Sequence, residues 1–487
     1  MNKINKAKKL NQIESNKDIL SLSHAQFPGP HCPLFGAIMT ASYIEDMPVL
    51  IIGTEECTYY GKDFAVLRQE KKDKVFSAVL EQKDITFGCE EDLKAIIKNI
   101  IKKENPKALL VVTTCVVELV GEDVESILHS LSYEINIPLL IVKTEHFKCT
   151  SHIEGVERTF NEFYKLMKQT SSIKNTVNIL GYKYLDVEKT ELVENLISKD
   201  IKINMCLPSK STISQIESAA NCALNIVVEN TALGLAKKME ETFKIPYVNF
   251  PSSLDICDIS NAYNLIEKHL NIKFDNSLYK KSKKISNEIN LLKKLCNNKS
   301  FVYGNTPFNV WDFTLLTEKL GMYPTILQVR NIKNSDFHKI NSLIDKNINP
   351  FIVQTANIAP LRDSYKENAP DYYFGHESPM LLSRYNIKHI VLDEAMKNLG
   401  YERILITLNA IKEEKGMFSL MGQSSRKEKT TLAKSKIKNI PNMPNEIRQM
   451  LLNMPVIPEK MADKILSTDE NNFDINNLMG GAHHASI

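Results

Sequence analysis

Four cysteines in the first part of the chain combine a reactive residue type with a placement suited to chemistry. They are Cys32, Cys57, Cys89 and Cys115, and each stands at or beside residues typical of turns. Thiolates hold iron–sulfur clusters because soft sulfur suits iron. The sequence contains no Cys-x-x-Cys pair, so a zinc knuckle or ribbon is not indicated. Single, dispersed cysteines instead predict a cluster that is caged by the fold or shared between chains.

The competing interpretation of each of these cysteines is a small buried core residue. That is the commonest role of a lone cysteine that follows a buried strand. We assign this role to the four later cysteines, Cys206, Cys222, Cys257 and Cys296. For the first group the residues alone leave both interpretations open.

Predicted strands position two of the four cysteines. Short apolar runs at Val49–Ile52 and Ala108–Val112 predict buried strands. Cys57 and Cys115 fall just past the ends of these runs, where parallel sheets bind ligands. Cys32 follows a cluster of Pro and Gly residues and precedes a predicted helix. Further strands are predicted at 139–143, 201–205, 225–228, 247–250, 301–303, 323–329, 351–355, 372–374 and 389–392.

The alternation of strands and helices predicts an α/β fold with three Rossmann-like parallel-sheet domains in series. The predicted order is an N-terminal arm (1–20), a cluster-binding domain (21–172), a second α/β domain (173–299), a third (300–416) and a C-terminal extension (417–487). We expect the polar arm to be disordered or loosely docked, and the extension to be partly extended.

Composition excludes several classes of protein. The chain has 487 residues with 43% hydrophobic and 24% charged residues, as in a globular protein of about three domains. A net charge of +3 with scattered lysines argues against nucleic-acid binding. Nine cysteines over this length do not form a disulfide scaffold. No apolar leader or membrane-length run is present, so we expect a cytoplasmic protein without a membrane partner.

Three segments around the cysteines carry a family resemblance. Residues 32–37 read Cys-Pro-Leu-Phe-Gly-Ala, residues 53–60 read Gly-Thr-Glu-Glu-Cys-Thr-Tyr-Tyr, and residues 113–123 read Thr-Thr-Cys-Val-Val-Glu-Leu-Val-Gly-Glu-Asp. They resemble patterns of the nitrogenase component 1 family, which includes cofactor scaffold proteins and protochlorophyllide-reductase-like relatives. The resemblance is strongest to the beta-chain side, although Cys32 is one residue closer to its proline than in the family pattern.

Later segments extend the resemblance along the chain. Ser151-His152 follows the third predicted strand, as a Ser-His pair does in the family. The segment Ala369–Gly375 resembles the family's Lys-Pro-Asp-x-x-x-Gly, and Leu399–Glu402 resembles the start of its Leu-Gly-Tyr-Glu-Gly. The family's three-module α/β fold agrees with the pattern of strands and helices above.

The resemblance implies roles for individual residues. Cys32, Cys57 and Cys115 match the cysteines that bind the iron of a [4Fe–4S] or P-cluster-like cluster. That cluster is expected at the interface with a homologous alpha-type partner chain or a second copy. Ser151 matches a serine that can approach the cluster, and Cys149 and Cys89 are additional candidates.

Departures from the family narrow the role. An alpha-type chain anchors its large cofactor with a cysteine, expected here near Val228 or Glu229, and a histidine, expected near Asp393. Neither residue is present at these places, and His389 is out of register. We therefore expect that this chain does not itself ligate an iron–molybdenum type cofactor.

Three further histidine positions carry weaker hypotheses. His376, with Glu377, is a candidate for a substrate or proton-relay role. His146 is interpreted as a loop histidine, and the pair His483-His484 is assigned no function.

Two functions follow from the resemblance, and a third stands apart from it. The first is the iron–sulfur subunit of a nitrogenase-like, ATP-dependent reductase, an oxidoreductase component that accepts electrons from a separate iron protein and relays them to a catalytic site. Dinitrogen is one candidate substrate. The alternative is a scaffold for nitrogenase cofactor biosynthesis that turns over no substrate. A plain nucleotide- or metabolite-binding α/β protein is the third, but no G-x-G-x-x-G or P-loop follows any predicted strand.

Overall fold

The structure is a computed structural model. It describes residues 3–22, 32–69, 74–149, 151–171, 173–209, 211–304, 309–355, 358–414, 433–438, 440, 443–454, 457, 461–462 and 465–466.

Parallel strands form the framework of the chain. The strands are β1 (Leu20–Ser21), β2 (Val49–Gly53), β3 (Val75–Val79), β4 (Leu109–Thr113), β5 (Leu139–Lys143), β6 (Thr176–Tyr182), β7 (Lys202–Pro208), β8 (Leu224–Val227), β9 (Tyr247–Asn249), β10 (Ser300–Tyr303), β11 (Tyr323–Gln328), β12 (Phe351–Thr355), β13 (Tyr372–Phe374) and β14 (Lys388–Ile390).

Helices connect and cover these strands. They are α1 (Pro33–Ser42), α2 (Glu55–Gln69), α3 (Gln82–Phe87), α4 (Glu90–Glu104), α5 (Cys115–Val120), α6 (Val124–Ser132), α7 (Ile153–Phe163), α8 (Glu191–Ile197), α9 (Ile213–Ser218), α10 (Leu233–Phe243), α11 (Ile256–Leu270), α12 (Asn276–Cys296), α13 (Val310–Lys319), α14 (Phe337–Asp345), α15 (Ile358–Glu367), α16 (Pro379–Arg384), α17 (Asp393–Met396), α18 (Tyr401–Lys412) and α19 (Asn445–Asn453). None of these helices has the length and apolarity that a bilayer crossing requires.

The strands assemble into three parallel sheets, which confirms the predicted α/β fold. Their orders are β3-β2-β4-β5, β7-β6-β8-β9 and β1-β12-β11-β10-β13-β14. Apart from β1, the strands of each sheet lie within one predicted domain range, and the boundaries themselves stay predictions. Central strands such as β2 and β4 are buried along their whole length because helices cover both faces of the sheet.

The sequence prediction missed β1, β3 and β6. In β6 the apolar run is interrupted by Asn178, which is fully buried. Its amide donates hydrogen bonds to the carbonyl oxygen of Ala219 and to Oδ1 of Asn225, both at 2.9 Å. A buried polar group satisfied by partners distant in sequence hides the strand from a hydrophobicity pattern.

The expectation of a disordered or loosely docked N-terminal arm is wrong for residues 3–22. Leu10 and Leu22 are 1% and 2% exposed. The short strand β1 pairs with β12 and extends the third sheet by one edge strand. The arm therefore covers an edge that would otherwise expose unpaired backbone groups.

The expectation of a partly extended C-terminal region is wrong for those residues after 432 that the structure describes. They include helix α19 and a small apolar core of their own. This core consists of Ala433, Ile437, Ile440, Met443, Leu451, Ile457, Ala462 and Ile465. His483 and His484 lie outside the described residues.

Candidate metal–sulfur site

Two of the predicted thiols stand at the switch point of the first sheet. Strands β2 and β4 are neighbours, and Ile52 lies opposite Thr113 in their ladder. From β2 the chain continues to β3 on one side, and from β4 it continues to β5 on the other. Cys57 and Cys115 follow these two strands, so they lie where the connections diverge and open a crevice.

Cys115 is held by the segment on which it stands. The backbone N–H of Thr114 donates to the carbonyl oxygen of Ile52 at 3.0 Å. The hydroxyl of Thr113 donates to Oε1 of Glu118 at 2.9 Å, which ties the end of β4 to the first turn of α5. These contacts give a structural role to the Thr-Thr-Cys-x-x-Glu pattern.

Cys32 is fixed by a close crossing of two helices. It immediately precedes α1, which packs against α7. A β-carbon on Gly36 would lie 1.8 Å from the carbonyl oxygen of His152, and one on Gly155 would lie 1.9 Å from that of Pro33. Glycine at both positions lets the helices approach at backbone distance, which anchors the start of α1 and the thiol before it.

The structure brings Cys32, Cys57 and Cys115 together. The pKa of Cys32 is raised to about 11, mainly by burial and to a smaller extent by the nearby charges of Cys115 and Cys57. Burial also raises the pKa of Cys57, with Cys115 again a nearby charge. All three side chains are partly accessible. If all three lost their protons, the thiolates would repel one another, and a bound cation would offset that repulsion.

The arrangement fits a cluster better than a single ion. No three Cys, His, Asp or Glu side chains in the described ranges lie close enough together to hold one metal ion. Thiolates around a cluster are spaced more widely because the inorganic core lies between them. Cys32 precedes a ten-residue helix and Cys57 stands in the first turn of a fifteen-residue helix. The positive ends of both helix dipoles favour thiolates there.

Ser151 lies beside the same edge, but its hydroxyl is already engaged. The side chain is buried and donates to Oε2 of Glu154 at 2.6 Å, and it accepts a hydrogen bond from the N–H of Ile153 at 3.2 Å. These bonds cap α7. A role for Ser151 toward a cluster stays a prediction.

Roles for Cys149 and Cys89 toward a cluster stay predictions. The pKa of Cys149 is raised by burial, and the charges that act on it are those of Arg158 and nearby acidic and lysine side chains. Cys89 lies in the core on the opposite face of the first sheet from Cys32 and Cys57. Burial and the adjacent Glu122 raise its pKa to about 12.

The later cysteines fit the predicted core role with one exception. Cys222 and Cys296 are buried, and Cys206 is largely buried. Cys257 is exposed at the start of α11, so its assignment to the core is wrong. The turn that starts α11 places Cys257 outside, and its N–H donates to Oδ1 of the N-cap residue Asp255 at 2.8 Å.

Sequence reasoning missed a set of exposed apolar side chains around the thiols. They lie at or after the carboxyl ends of all four strands of the first sheet, and we call them the apolar rim: Tyr59, Tyr60, Val79, Ile85, Phe87, Leu119, Val120 and Phe147. Phe87 is 87% exposed and Leu119 is 71% exposed. The sequence signal that could have revealed these side chains was the presence of apolar residues on helix faces that are otherwise polar. Exposed apolar patches of this kind mark interaction surfaces.

The third sheet presents a separate set of ionisable groups. His376 Nε2 pairs with Asp393 Oδ1 at 2.9 Å, and this partner raises the pKa of the imidazole. Burial raises the pKa of the adjacent Glu377 to about 7. His389 contacts the carbonyl oxygen of Gly375 at 2.6 Å through Nε2 and so faces its own sheet. His146 lies in a short 3-10 turn.

Comparison with known proteins identifies relatives along most of the chain. The family described as nitrogenase component 1 type oxidoreductase matches residues 32–414. This span contains all three of the converging cysteines and all three sheets except β1.

Individual relatives differ in their named roles. The nitrogenase iron-molybdenum cofactor biosynthesis protein NifE of Clostridium pasteurianum is 26% identical over 360 residues, which cover 71% of this chain and 77% of that protein. A subunit of the light-independent protochlorophyllide reductase of Stigeoclonium helveticum is 21% identical over 332 residues, which cover 62% of this chain and 64% of that protein.

A solved structure shares the fold. Nitrogenase Cp1 at pH 6.5 matches with a TM-score of 0.68 and 15% identity, over 82% of this chain and 95% of that chain.

Proposed function

Because the chain belongs to the nitrogenase component 1 type oxidoreductase family, we propose that it is the cluster-holding subunit of a complex that assembles a metal–sulfur cofactor. The observation that carries this proposal is the convergence of Cys32, Cys57 and Cys115 at the switch point of the first sheet. The relative NifE, which aligns over 71% of this chain, is named for cofactor biosynthesis.

Cys32, Cys57 and Cys115 would hold an iron–sulfur cluster, with [4Fe–4S] or P-cluster-like nuclearity. Such a cluster supplies one-electron chemistry. The residues of this chain exclude bulk water through the apolar core beneath the thiols and supply the positive ends of α1 and α2. The thiols of Cys32 and Cys57 must lose their protons on binding iron because burial raises the pKa of both.

The apolar rim gives the site a boundary with another chain. Its large exposed side chains lie at the carboxyl edge of the first sheet, where Cys57 and Cys115 also lie. A homologous alpha-type chain or a second copy would cover this rim and complete the enclosure of the cluster. The cofactor under assembly is then a substrate of the complex, and this chain does not anchor it through a cysteine, since none stands at Val228 or Glu229.

A second candidate is an electron-relay subunit of an ATP-dependent reductase that receives electrons from a separate iron protein. The observation that favours it is the alignment with the protochlorophyllide reductase chain, a protein named as a reductase. Both candidates use the same three thiols. They differ in whether the complex turns over a substrate.

The first experiment tests the site. The full chain is purified anaerobically after expression alone and with candidate partner chains, and iron is quantified together with an EPR spectrum. Cys32→Ala, Cys57→Ala and Cys115→Ala should each lose most of the iron. The matched control is Cys257→Ala, which removes an exposed thiol remote from the site. Wild-type iron content in all three site variants would overturn the proposal.

The second experiment separates the two candidates. The iron-loaded complex is incubated with a cofactor-free nitrogenase, and restored nitrogenase activity is measured. Activation supports the assembly role. Substrate reduction by the complex with an iron protein and ATP, without any activation, would replace the assembly role by the reductase role.

A further inference from the structure

Arg403 is a buried cation with an unused guanidinium face. It stands in the first turn of α18 and is 3% exposed. Its Nε donates to the carbonyl oxygen of Asn398 at 2.8 Å. Within the described ranges this is the one hydrogen bond of the guanidinium, so both terminal nitrogens lack a protein acceptor.

The environment of Arg403 does not compensate its charge. Burial lowers the pKa of Arg403. The charges of Glu229, Tyr184 and Tyr182 act against that shift. None of these side chains forms an ion pair with Arg403 in the described part of the chain. The first turn of a helix is also the positive end of the helix dipole. A buried, unpaired cation at that place is destabilising on its own.

The position of Arg403 is a junction of two sheets. Tyr182 is the last residue of β6, and Glu229 follows the neighbouring strand β8, so both lie at the switch point of the second sheet. Tyr182 donates its hydroxyl hydrogen to the carbonyl oxygen of Lys397 at 2.8 Å, just before α18 of the third domain. Ligands bind preferentially at such switch points.

A second unsatisfied group faces the same junction. Oδ2 of Asp393 is buried and makes no hydrogen bond in the part of the chain that the structure describes. The charges of Asp393 and Arg403 both act on the side chain of Tyr184, which is partly buried. An unpaired donor group and an unpaired acceptor atom therefore border one place.

We propose that the terminal nitrogens of Arg403 bind a small oxyanion, a carboxylate or a phosphate, at the junction of the second and third sheets. The planar guanidinium matches two oxygens of either group. A donor on the ligand would satisfy Oδ2 of Asp393. The proposal is independent of the cluster-holding role of Cys32, Cys57 and Cys115.

The experiment titrates the full chain with potassium phosphate or potassium acetate against potassium chloride at constant ionic strength. Melting temperature and isothermal titration calorimetry report binding. Wild-type protein should bind one of the two oxyanions and melt at a higher temperature, and the better probe identifies the class of ligand. Arg403→Met should weaken binding about tenfold or more because a charge-assisted pair is lost. The control Arg384→Met changes an exposed arginine of the same domain and should bind as wild type.

Glu229→Gln distinguishes the proposal from an internal ion pair. If Arg403 binds an oxyanion, removing the negative charge of Glu229 should increase the affinity for phosphate or acetate, because less negative charge then repels the ligand. If Arg403 instead pairs with Glu229 in solution, the variant melts lower, and neither oxyanion binds the wild-type chain, which overturns the proposal. Equal binding by Arg403→Met and wild type also overturns it. Iron content, measured in parallel, should be unchanged in every variant, so failure here is distinguishable from failure of the cluster site.

Discussion

Gly53 and Thr114 lie so close together that residue 53 has no room for a side chain. A β-carbon on Gly53 would lie 2.2 Å from Oγ1 and 2.7 Å from Cγ2 of Thr114. Gly53 ends the strand that precedes Cys57, and Thr114 directly precedes Cys115. The spacing between two of the three thiols therefore depends on a contact between their neighbours.

Gly53→Ala should disturb both thiols at once. The added methyl group must push the β2 and β4 ends apart, because its three nearest neighbours belong to the buried, branched side chain of Thr114. Overpacking of this kind costs about 1–3 kcal/mol. We expect lower iron content and a lower urea midpoint than in wild type. Adding Thr114→Ala removes the two closest atoms and should recover part of both losses, and a double variant no better than Gly53→Ala would contradict the contact as the cause.

Cluster loading should release protons. Burial raises the pKa of Cys32 to about 11, well above the usual value of a thiol, so this thiol is neutral near pH 7 before metal binds. A coordinated cysteine is a thiolate, and about one proton should leave per thiol that binds iron. Proton release is measured in weakly buffered anaerobic solution as the cluster is built. Cys32→Ala should release fewer protons than Cys257→Ala, and affinity for iron should rise as the pH increases from 6 to 8. Equal proton release by the two variants would show that Cys32 does not bind.

The fold was largely predictable because its strands are short apolar runs that end at turn residues. Val49–Gly53 and Leu109–Thr113 are of this kind, and the cysteines that follow them were identified from position alone. The N-terminal arm was misjudged because lysine and asparagine dominate its composition. The apolar residues Ile4, Ala7, Leu10 and Ile13, three apart, were the signal that it packs.

Long-range contacts were beyond prediction from one sequence. The contact of Gly155 with the carbonyl oxygen of Pro33 joins residues far apart in the chain, and no local sequence pattern predicts it. Arg403 neighbours the apolar stripe of α18, where a long cationic side chain ordinarily reaches water. Its burial depends on how the second and third sheets meet.

Glu191 should be a major support of the contact between the second and third domains. Its carboxylate is almost fully buried and accepts hydrogen bonds from the backbone N–H groups of Tyr401 and Glu402, the hydroxyl of Tyr263 and the ammonium group of Lys281, at 2.8 to 3.1 Å. It caps α18 from another domain. Glu191→Gln should lower the free energy of unfolding by about 2–3 kcal/mol.

Glu134→Gln is the matched control for this substitution. Glu134 pairs with Lys98 at the surface, where water and salt screen the pair, so its loss should leave the free energy of unfolding nearly unchanged. Urea denaturation compares the two variants. Similar losses in both would show that the network around Glu191 adds nothing beyond an exposed ion pair.

Glu377 should make stability fall as the pH rises. Burial raises its pKa to about 7, whereas an unfolded glutamate titrates near 4.3. Between these values the folded chain holds a proton that the unfolded chain has lost, so stability decreases across this window and is level above it. The side chain is partly exposed, so we expect a loss of about 1–2 kcal/mol after allowance for solvent screening.

Glu377→Gln should remove that part of the pH dependence. The stability of the variant relative to wild type should rise between pH 4.5 and pH 8, measured by urea denaturation. His376, which loses stabilisation in the same direction as the pH rises through its raised pKa, is common to both proteins and cancels. Glu240→Gln, at an exposed position of α10, should show no such trend. A constant difference between Glu377→Gln and wild type would show that the carboxyl is ionised throughout.

The apolar rim should hold the partner chain. Phe87→Ser and Leu119→Ser each remove a large side chain that is mostly exposed, so the isolated chain should keep its stability. At an interface, truncation of such an anchor costs about 2 kcal/mol or more, which is at least about tenfold in affinity. Sedimentation velocity on the anaerobically purified complex measures the association. Because the partner chain encloses the thiols when it covers the rim, variants that associate more weakly should also retain less iron in air.

Tyr133→Ser provides the matched control for the rim. Tyr133 is 78% exposed at the end of α6, which runs from the carboxyl end of β4 toward the amino end of β5, so it lies at the opposite edge of the same sheet. The substitution removes a comparable apolar area from the surface but none from the neighbourhood of the thiols. Association and iron retention should match wild type. If Tyr133→Ser weakens assembly as much as Phe87→Ser does, the carboxyl edge is not the docking face, and the three thiols must be shielded by their own chain.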